Sequence, residues 1–420
     1  MTEALLARSQ MAYSLGFHII FAAIGMTMPL LMVLAEWRWQ RTGDVNYQLL
    51  AKRWAKGTAL FFAIGAVSGT TLSFELGLLF PGFMAKAGPI IGMPFSLEGF
   101  AFFTEAIFLG MFFYGRARLS QRVHLACGIV VAISGTLSAV FVTFVNAWMN
   151  SPTGFRLDGG NLVDINPLGA LQAPFAKHEI PHTILASFMA TALVVAGIHA
   201  LGVLRQRNVE FHRKGLMLAL VIALPATLLQ PVIGHFAGEQ VAEHQPLKLA
   251  AMEGLQHTQA HAPLALGPIE IPGLLSFMAF GDTAATVQGL DAFPVEDHPP
   301  RIVRFAHLTM IGIGTAAAGY AGLTLLLLLR KRRVPTARWW LRATVALAPL
   351  GMVAMEAGWI VTEVGRQPWT IYGVLRTRDA ITPVTGLMLP FAIFALVYTL
   401  LGIVVARMVW SQIKATQEAV

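Results

Sequence analysis

The chain has 420 residues, of which 56% are hydrophobic and only 12% are charged. Soluble domains carry about 25% charged residues, so this chain has too few charges to cover a soluble enzyme, and its apolar content excludes a disordered protein. The net charge of +8 indicates contact with anionic membrane lipid and no binding to nucleic acid, because no folded basic domain is predicted.

Nine stretches are long and apolar enough to cross a bilayer as helices, which takes about 20 residues. In chain order they cover 12–36, 57–80, 96–115, 124–148, 180–204, 215–235, 302–329, 339–362 and 383–410. The first is predicted to be a membrane span rather than a cleaved signal peptide, because it lacks a basic start and a small-residue cleavage site. We therefore predict an all-α integral membrane protein in which residues 1–420 form a single membrane-embedded subunit.

The distribution of Lys and Arg predicts the orientation of the spans. The connections after spans 1, 3, 5, 7 and 9, together with the adjoining ends of spans 8 and 9, carry 20 of the 30 basic residues, among them the basic run at 330–333. Basic connections stay in the cytoplasm. The N-terminus is therefore predicted outside, the C-terminus in the cytoplasm, and the long polar connection at 236–301 outside.

Several ionisable or metal-ligating side chains fall within the spans, where charged groups are costly and usually functional. Six of them are predicted at one depth near the outer face: His18, Glu75, Glu98, His182, Met310 and Glu356. Glu98 and Glu105 are seven residues apart, which places them on one helix face about 10 Å apart. This spacing suits a proton relay, or one ligand and one relay group, and fits a structural pair of hydrogen-bonded carboxylates equally well.

The histidines in the spans permit two interpretations each. His18 lies in an apolar run and is a candidate axial haem ligand, as is His182 at the start of span 5, but each could instead bond to a neighbouring helix. Met310 by itself carries little information, because the chain has 18 methionines. His307 lies one turn from Met310 and is a rival ligand.

Four sequence blocks resemble subunit I of the cytochrome bd quinol oxidases. E-A-G-W at 356–359 runs into G-R-Q-P-W at 365–369, and 97–105 is similar to the family's paired-glutamate helix. N-A-W-M-N-S-P at 146–152 resembles the family's N-x-W-M-x-x-P, and K-L-A-A-M-E at 248–253 resembles its quinol-loop K-L-A-A-x-E. The resemblance covers essentially the whole chain and implies a nine-span fold.

The resemblance also implies the ligands of a low-spin haem b. His182 and Met310 would be its two axial ligands, and both lie on spans that enter from outside. Arg366 and Trp369 would pack near haem propionates, although residues of these types just outside a span could also be ordinary interface anchors.

Two high-spin haems, haem b and haem d, are implied as well. His18 and Glu356 would each serve one of them, with Glu98 close by or ligating, and the position of haem d is left open. Glu98, Glu105 and Ser138 would help to deliver protons.

Quinol chemistry is implied for the 236–301 loop, where Lys248 and Glu253 would contact the quinol head group. The carboxylate there could accept a quinol proton. The chain would be the haem-containing subunit of a terminal oxidase in the bacterial cytoplasmic (inner) membrane. It would oxidise quinol near the outer face, reduce O2 to water and generate a proton motive force. The implied partners are subunit II and single-span small subunits.

Departures from the family pattern leave alternatives open. Leu308 stands where an arginine is common, and Met352 stands where a tryptophan is common. They motivate an alternative: a divergent haem b-only paralogue that reacts with quinol but lacks the oxygen chemistry of haem d. A second alternative is a proton-coupled transporter that uses the intramembrane Glu and His residues, although no inverted repeats are evident.

Overall fold

A computed structural model of the chain describes residues 2–266 and 269–418. The helices of these residues are α1 Glu3–Thr42, α2 Val45–Leu79, α3 Pro81–Gly115, α4 Gln121–Asn150, α5 Pro167–Ala170, α6 Ala176–Leu204, α7 Val209–His244, α8 Pro246–Glu253, α9 Leu274–Phe280, α10 Ile302–Lys331, α11 Arg338–Leu347, α12 Leu350–Val364, α13 Thr377–Ala380 and α14 Met388–Glu418. The strands are β1 Arg156–Asp158, β2 Asn161–Val163, β3 Gln259–Ala260, β4 Leu264–Leu266, β5 Ile269–Ile271, β6 Thr286–Val287, β7 Trp369–Ile371 and β8 Leu375–Arg376. Single 3₁₀ turns lie at Leu290–Ala292 and Val295–Asp297.

Nine helical segments within the described residues are long and apolar enough to cross a membrane, as predicted. They are α1, α2, α3, α4, α6, α7, α10, α11 together with α12, and α14. The strands pair only as short antiparallel ladders, β1 with β2, β3 with β6, β4 with β5, and β7 with β8. The predicted all-α membrane fold is therefore confirmed in its helices, and the ladders stay in the connections.

Several helices are longer than the predicted spans. The first begins at Glu3, where the Thr2 hydroxyl accepts from the Leu5 amide at 3.3 Å, and ends at Thr42. The sixth continues to His244, so the first nine residues of the predicted 236–301 connection are helical. Hydropathy marks the bilayer thickness, whereas a helix continues into water as long as its residues favour helical backbone.

Two later spans differ from the prediction for local reasons. Span 8 is interrupted between α11 and α12 at Pro349, whose ring cannot continue the hydrogen-bond ladder. Span 9 begins at Met388 and not at 383, because the preceding segment bonds elsewhere. The Thr382 amide donates to the Leu79 carbonyl at 2.8 Å, and the Leu387 amide donates to the Glu3 carboxylate at 3.0 Å.

Neighbouring spans pack in pairs around a central helix. The strongest pairings are α1 with α2, α3 with α4, α6 with α7, and α10 with α12. In the most apolar window of α6, 61% of residues are buried, against 11% in α14. The bundle therefore has α6 near its centre and α14 at its edge, with large apolar side chains facing outward along α14.

The described residues of the connection at 245–301 lie on the ends of the bundle helices. Within it, α8 contacts both α7 and α10, and α9 contacts α7. Leu249, Met252 and Leu275 join one apolar cluster with Val303 of α10 and Val361 of α12. This packing fixes the loop residues against the adjoining turns of three spans.

Candidate active site

His18 lies on α1 beside α2. Its Nδ1 is 2.9 Å from the Ser68 hydroxyl, which itself donates to the Ile64 carbonyl at 2.9 Å. Because the hydroxyl proton is used in that second bond, Ser68 accepts from the Nδ1–H of His18, and a lone pair remains on Nε2. A hydrogen bond at one ring nitrogen fixes the tautomer that ligates a metal through the other.

Glu356 reaches α1 from α12. Its Oε1 is buried and has no hydrogen-bond partner among the described residues, and its Oε2 lies 3.5 Å from where a Cβ at Gly16 would stand. Gly16 and His18 differ by about 3 Å in height along α1 but face different sides of it. The two predicted ligands therefore lie at a common depth on different sides of one helix, which suits two separate sites.

His182 lies on α6 against α7. The Gln230 side-chain amide donates to its Nε2 at 3.1 Å and to its carbonyl at 3.2 Å. Both His182 Nδ1 and Gln230 Oε1 are buried without a partner among the described residues. Because Nε2 accepts from the amide, the ring proton of a neutral His182 lies on Nδ1, and a buried donor without a partner costs free energy. A metal bound by this imidazole would take the place of the amide at Nε2.

Met310 lies on α10 where this helix packs against α12. Its Sδ is 3.1 Å from where a Cβ at Gly358 would stand, and Gly358 follows Glu356 by two residues. Met355, also on α12, faces α6, where the Ser187 hydroxyl contacts its Sδ at 3.9 Å. Helix α12 thus connects the surroundings of Met310, Glu356 and α6.

Each of the four predicted iron ligands faces a glycine on a neighbouring helix. These pairs are His18 with Gly69, Glu356 with Gly16, His182 with Gly234, and Met310 with Gly358. The atoms nearest to an added Cβ would be His18 Cε1 at 3.0 Å, Glu356 Oε2 at 3.5 Å, His182 Cε1 at 3.6 Å and Met310 Sδ at 3.1 Å. A larger residue in place of each glycine would occupy the space beside these side chains, all of which are half-buried. The donor set and its glycine surroundings fit haem groups.

Glu75 does not join this set. The Gln10 amide donates to its Oε1 at 2.9 Å, and Gln10 lies about 12 Å from His18 along α1. The prediction that Glu75 shares the depth of the other candidates is therefore wrong.

Glu98 and Glu105 both face α4 from α3, as their spacing predicted. The Ser138 hydroxyl donates to Glu98 Oε1 at 3.1 Å. Glu105 is buried, and both its carboxylate oxygens lie 3.1 Å from where a Cβ at Gly135 would stand. Gly135 and Ser138 are one turn apart on α4, so the two carboxylates form a ladder along a single helix contact.

Arg366 lies in a buried charged cluster at the end of α12. Its Nη2 donates to Glu363 Oε2 at 2.7 Å, and Glu363 Oε1 accepts from the Asn146 amide. The Arg366 side chain is 2% exposed, and its Nε and Nη1 have no partner among the described residues. These two buried N–H groups of the guanidinium are suited to donate hydrogen bonds to a carboxylate of a cofactor.

Lys248 belongs to the same cluster. Its Nζ donates to Asn150 Oδ1 at 3.0 Å and to the Thr362 carbonyl at 3.3 Å. Burial, with the neighbouring Arg366 guanidinium, holds the pKa of Lys248 well below its usual range, and the nearby carboxylate of Glu179 opposes that shift. Lys248 is therefore an internal residue of the loop.

Glu253 makes its contact elsewhere. Its Oε1 is 2.9 Å from His307 Nε2 on α10. His307, the rival ligand, is therefore hydrogen-bonded to the loop. Lys248 and Glu253 contact different parts of the helix bundle. Both nevertheless fix α8 to the spans, Lys248 to α4 and α12 and Glu253 to α10.

Trp369 starts β7 just after α12. Its ring lies under the Arg376 guanidinium at 4.6 Å and near Tyr372 at 6.5 Å. Met352 and Trp359 both pack against one apolar cluster formed by α1, α6 and α12. Leu308 is half-buried on α10.

Sequence reasoning missed the roles of Glu179, Arg304 and Gly254. Both carboxylate oxygens of Glu179 are buried, and the carboxylate interacts electrostatically with Lys248. The guanidinium of Arg304 lies over Gly254, where a Cβ would come within 2.3 Å of Nη1. The only sequence signal for Glu179 was a carboxylate three residues before His182 at a span start.

Comparisons with known proteins identify the family of this chain. Residues 6–417 match the family model described as cytochrome bd terminal oxidase subunit I. A Bacillus subtilis (strain 168) protein, named as a candidate cytochrome bd menaquinol oxidase subunit I, is 37% identical over 96% of this chain and 94% of its own. The cytochrome bd ubiquinol oxidase subunit 1 of the same organism is 30% identical over 100% of this chain and 95% of its own.

A solved structure has the same fold. The bd oxidase from Geobacillus thermodenitrificans is 37% identical, with a TM-score of 0.91 over 98% of both chains. This agreement favours the oxidase over the transporter alternative, and the family is one that binds haems. The chain therefore belongs to the cytochrome bd terminal oxidase subunit I family, and its activity is that of a quinol:oxygen oxidoreductase.

Proposed function

We propose that this chain holds low-spin haem b between His182 and Met310, and high-spin haem b and haem d at His18 and Glu356, with Glu98 close by or ligating. When bound, the haems supply one-electron chemistry and the iron that reduces O2. The observation that carries this proposal is the glycine beside each of the four side chains, together with the unpartnered Oε1 of Glu356.

Protons for water formation are proposed to move along the α3–α4 contact. Glu105 and Glu98 are two turns apart on α3, and the Ser138 hydroxyl supports Glu98. Each carboxylate can accept and release a proton, and the buried position of Glu105 keeps bulk water away from it. Arg366 and Trp369 are proposed to hold carboxylates of bound haem, because Arg366 keeps two donors free of protein partners among the described residues.

Within the predicted 236–301 segment, the loop that follows α7 is proposed to bind quinol. Glu253 accepts a proton from the quinol hydroxyl, and Lys248 holds the helix α8 that carries it. The named relatives differ in whether they use menaquinol or ubiquinol, so the head-group class proposed is a quinol without further distinction.

The oxidase is proposed to lie in the bacterial cytoplasmic (inner) membrane with its N-terminus outside and its C-terminus in the cytoplasm. The basic connections between spans support this orientation. Release of quinol protons outside and uptake of protons from inside would generate a proton motive force. Subunit II and single-span small subunits are the proposed partners, and the outward apolar side chains of α14 offer surface for protein or lipid.

A haem b-only paralogue is the second candidate, favoured by Leu308 and Met352. The test is a reduced-minus-oxidised spectrum of the purified complex, with a CO difference spectrum beside it. Haem b bands with a red-shifted, CO-sensitive band support the oxidase with haem d. Haem b bands without oxygen uptake support the paralogue.

The ligand assignment is tested by the same spectrum in His182→Ala and Met310→Leu. Each variant should lose the low-spin signal while the protein stays inserted in the membrane. An unchanged low-spin signal in both variants would contradict the proposed pair.

A further inference from the structure

The contact between Glu253 and His307 joins the outer loop to span 7. Glu253 is the last residue of α8, and His307 lies one turn before Met310 on α10. The 2.9 Å contact is shielded from solvent, since the side chains are 9% and 7% exposed. His307 Nδ1 is also buried and has no partner among the described residues. Buried polar groups normally have a hydrogen-bond partner, and the partner of this imidazole at Nε2 is a carboxylate of the loop.

A cavity of about 200 Å³ adjoins this pair. Its walls include Glu253, Gly254 and Arg304, so an acid and a cation share one small space. Gly254 ends α8 with a φ of 70°, and its missing side chain lets the Arg304 guanidinium lie directly over the backbone. The cavity therefore offers a hydrogen-bond acceptor and a cationic donor to a small polar group.

We infer that His307 is a positioning residue for quinol oxidation, which fixes the Glu253 carboxylate at the wall of this cavity by donating from Nε2–H to Oε1. The inference rests on the proposed quinol role of the loop. With Oε1 held by the imidazole, the second carboxylate oxygen is left for a quinol hydroxyl. Oxidation of the quinol to a quinone releases two protons and two electrons: one proton moves from that hydroxyl to the carboxylate, the proton of the second hydroxyl passes to water, and the two electrons go to O2, the oxidant of the established reaction.

The geometry distinguishes positioning from packing. Glu253 sits on a short helix of eight residues, and its carboxylate can rotate about several bonds unless a partner holds it. A reacting group that is misplaced by about 1 Å can lose about 100-fold in rate. His307 comes from a long spanning helix, so it supplies a fixed reference that the loop does not contain.

The test compares His307→Phe with His307→Gln in the complete oxidase complex. Phenylalanine fills the space but donates no hydrogen bond, whereas the amide of glutamine reaches about as far as Nε2 and still donates. We expect kcat with quinol to fall roughly 10- to 100-fold in His307→Phe and to recover to within about threefold of wild type in His307→Gln. The low-spin haem spectrum and oxidation of an artificial donor that bypasses the loop should be unchanged.

A matched control is His235→Phe. His235 also pairs with a glutamate, Glu239 at 3.4 Å, but this pair is 42% and 40% exposed and does not line the cavity. The control should keep wild-type quinol oxidation. Equal kcat in His307→Phe and in the control, or equal losses in His307→Phe and His307→Gln, would overturn the positioning role.

Glu253→Gln separates this inference from the proposed function. If Glu253→Gln keeps full quinol oxidation, the proposed quinol role of Glu253 fails, and the inference fails with it. If Glu253→Gln is impaired while His307→Phe is not, only the positioning role of His307 is overturned.

Discussion

Replacement of Gly358 by alanine tests whether α12 must come close to Met310 for this methionine to act as a ligand. A Cβ at position 358 would lie 3.1 Å from Met310 Sδ. Atoms that pack without strain are about 3.5–4.0 Å apart. The sulfur or the helix must therefore shift by about 0.4–0.9 Å, which moves the donor atom from its position beside α12.

The size of the effect follows from the cost of overpacking. Forcing an extra methyl group into a packed contact costs about 1–3 kcal/mol. Since about 1.4 kcal/mol changes an equilibrium tenfold, the ratio of ligated to unligated Met310 should fall roughly 5- to 140-fold. The fold itself should be retained, because alanine is more favourable than glycine in a helix interior by about 0.8–1.0 kcal/mol.

The assay is the low-spin haem band in the reduced-minus-oxidised spectrum of the purified complex. Gly319→Ala is the matched control on α10 itself, because a Cβ there would have nothing within 4 Å. We expect the low-spin band to weaken in Gly358→Ala and to stay at wild-type intensity in Gly319→Ala. Identical low-spin bands in both variants would refute the reasoning that the close contact positions the sulfur.

Two further predictions concern groups outside the iron ligands. Glu105→Gln should lower O2 reduction by about 100-fold or more, as expected for loss of a proton carrier, and leave the haem spectrum unchanged; wild-type oxygen uptake would exclude Glu105 from the proton route. Lys248→Met should flatten the dependence of thermal stability on pH. The folded-state pKa of Lys248 is depressed, so the unfolded chain binds more protons between the folded-state value and the unfolded value of about 10.4, and wild-type stability should rise with pH across that window. Parallel melting midpoints of wild type and Lys248→Met from neutral pH to about pH 10 would contradict this.

The membrane fold could be predicted because it depends on composition and spacing. A bilayer requires apolar segments of a fixed length, and the nine segments are visible in the sequence without any tertiary contact. The face shared by Glu98 and Glu105 was predictable for the same reason, since a seven-residue spacing is a property of one helix. Helix ends were less predictable, because the polar turns up to His244 carry no bilayer signal.

Depth was only partly predictable. Counting residues from span starts placed His18 and Glu356 at one level, and their approach through Gly16 agrees. The same counting failed for Glu75, because α2 is bonded to the beginning of α1 at Gln10. Distance along one helix is fixed by geometry, but the relative height of two helices depends on how they pack.

The sequence by itself determined the class of this protein: the number of spans, the family motifs and the residue types able to ligate iron or carry protons. Only the tertiary structure decided which of these residues meet. Glu253 is paired with His307, 54 residues away, and Lys248 is buried against Asn150, 98 residues earlier. Local patterns fix periodicity and hydropathy, whereas contacts between distant residues depend on the packing of whole helices, which no single segment encodes.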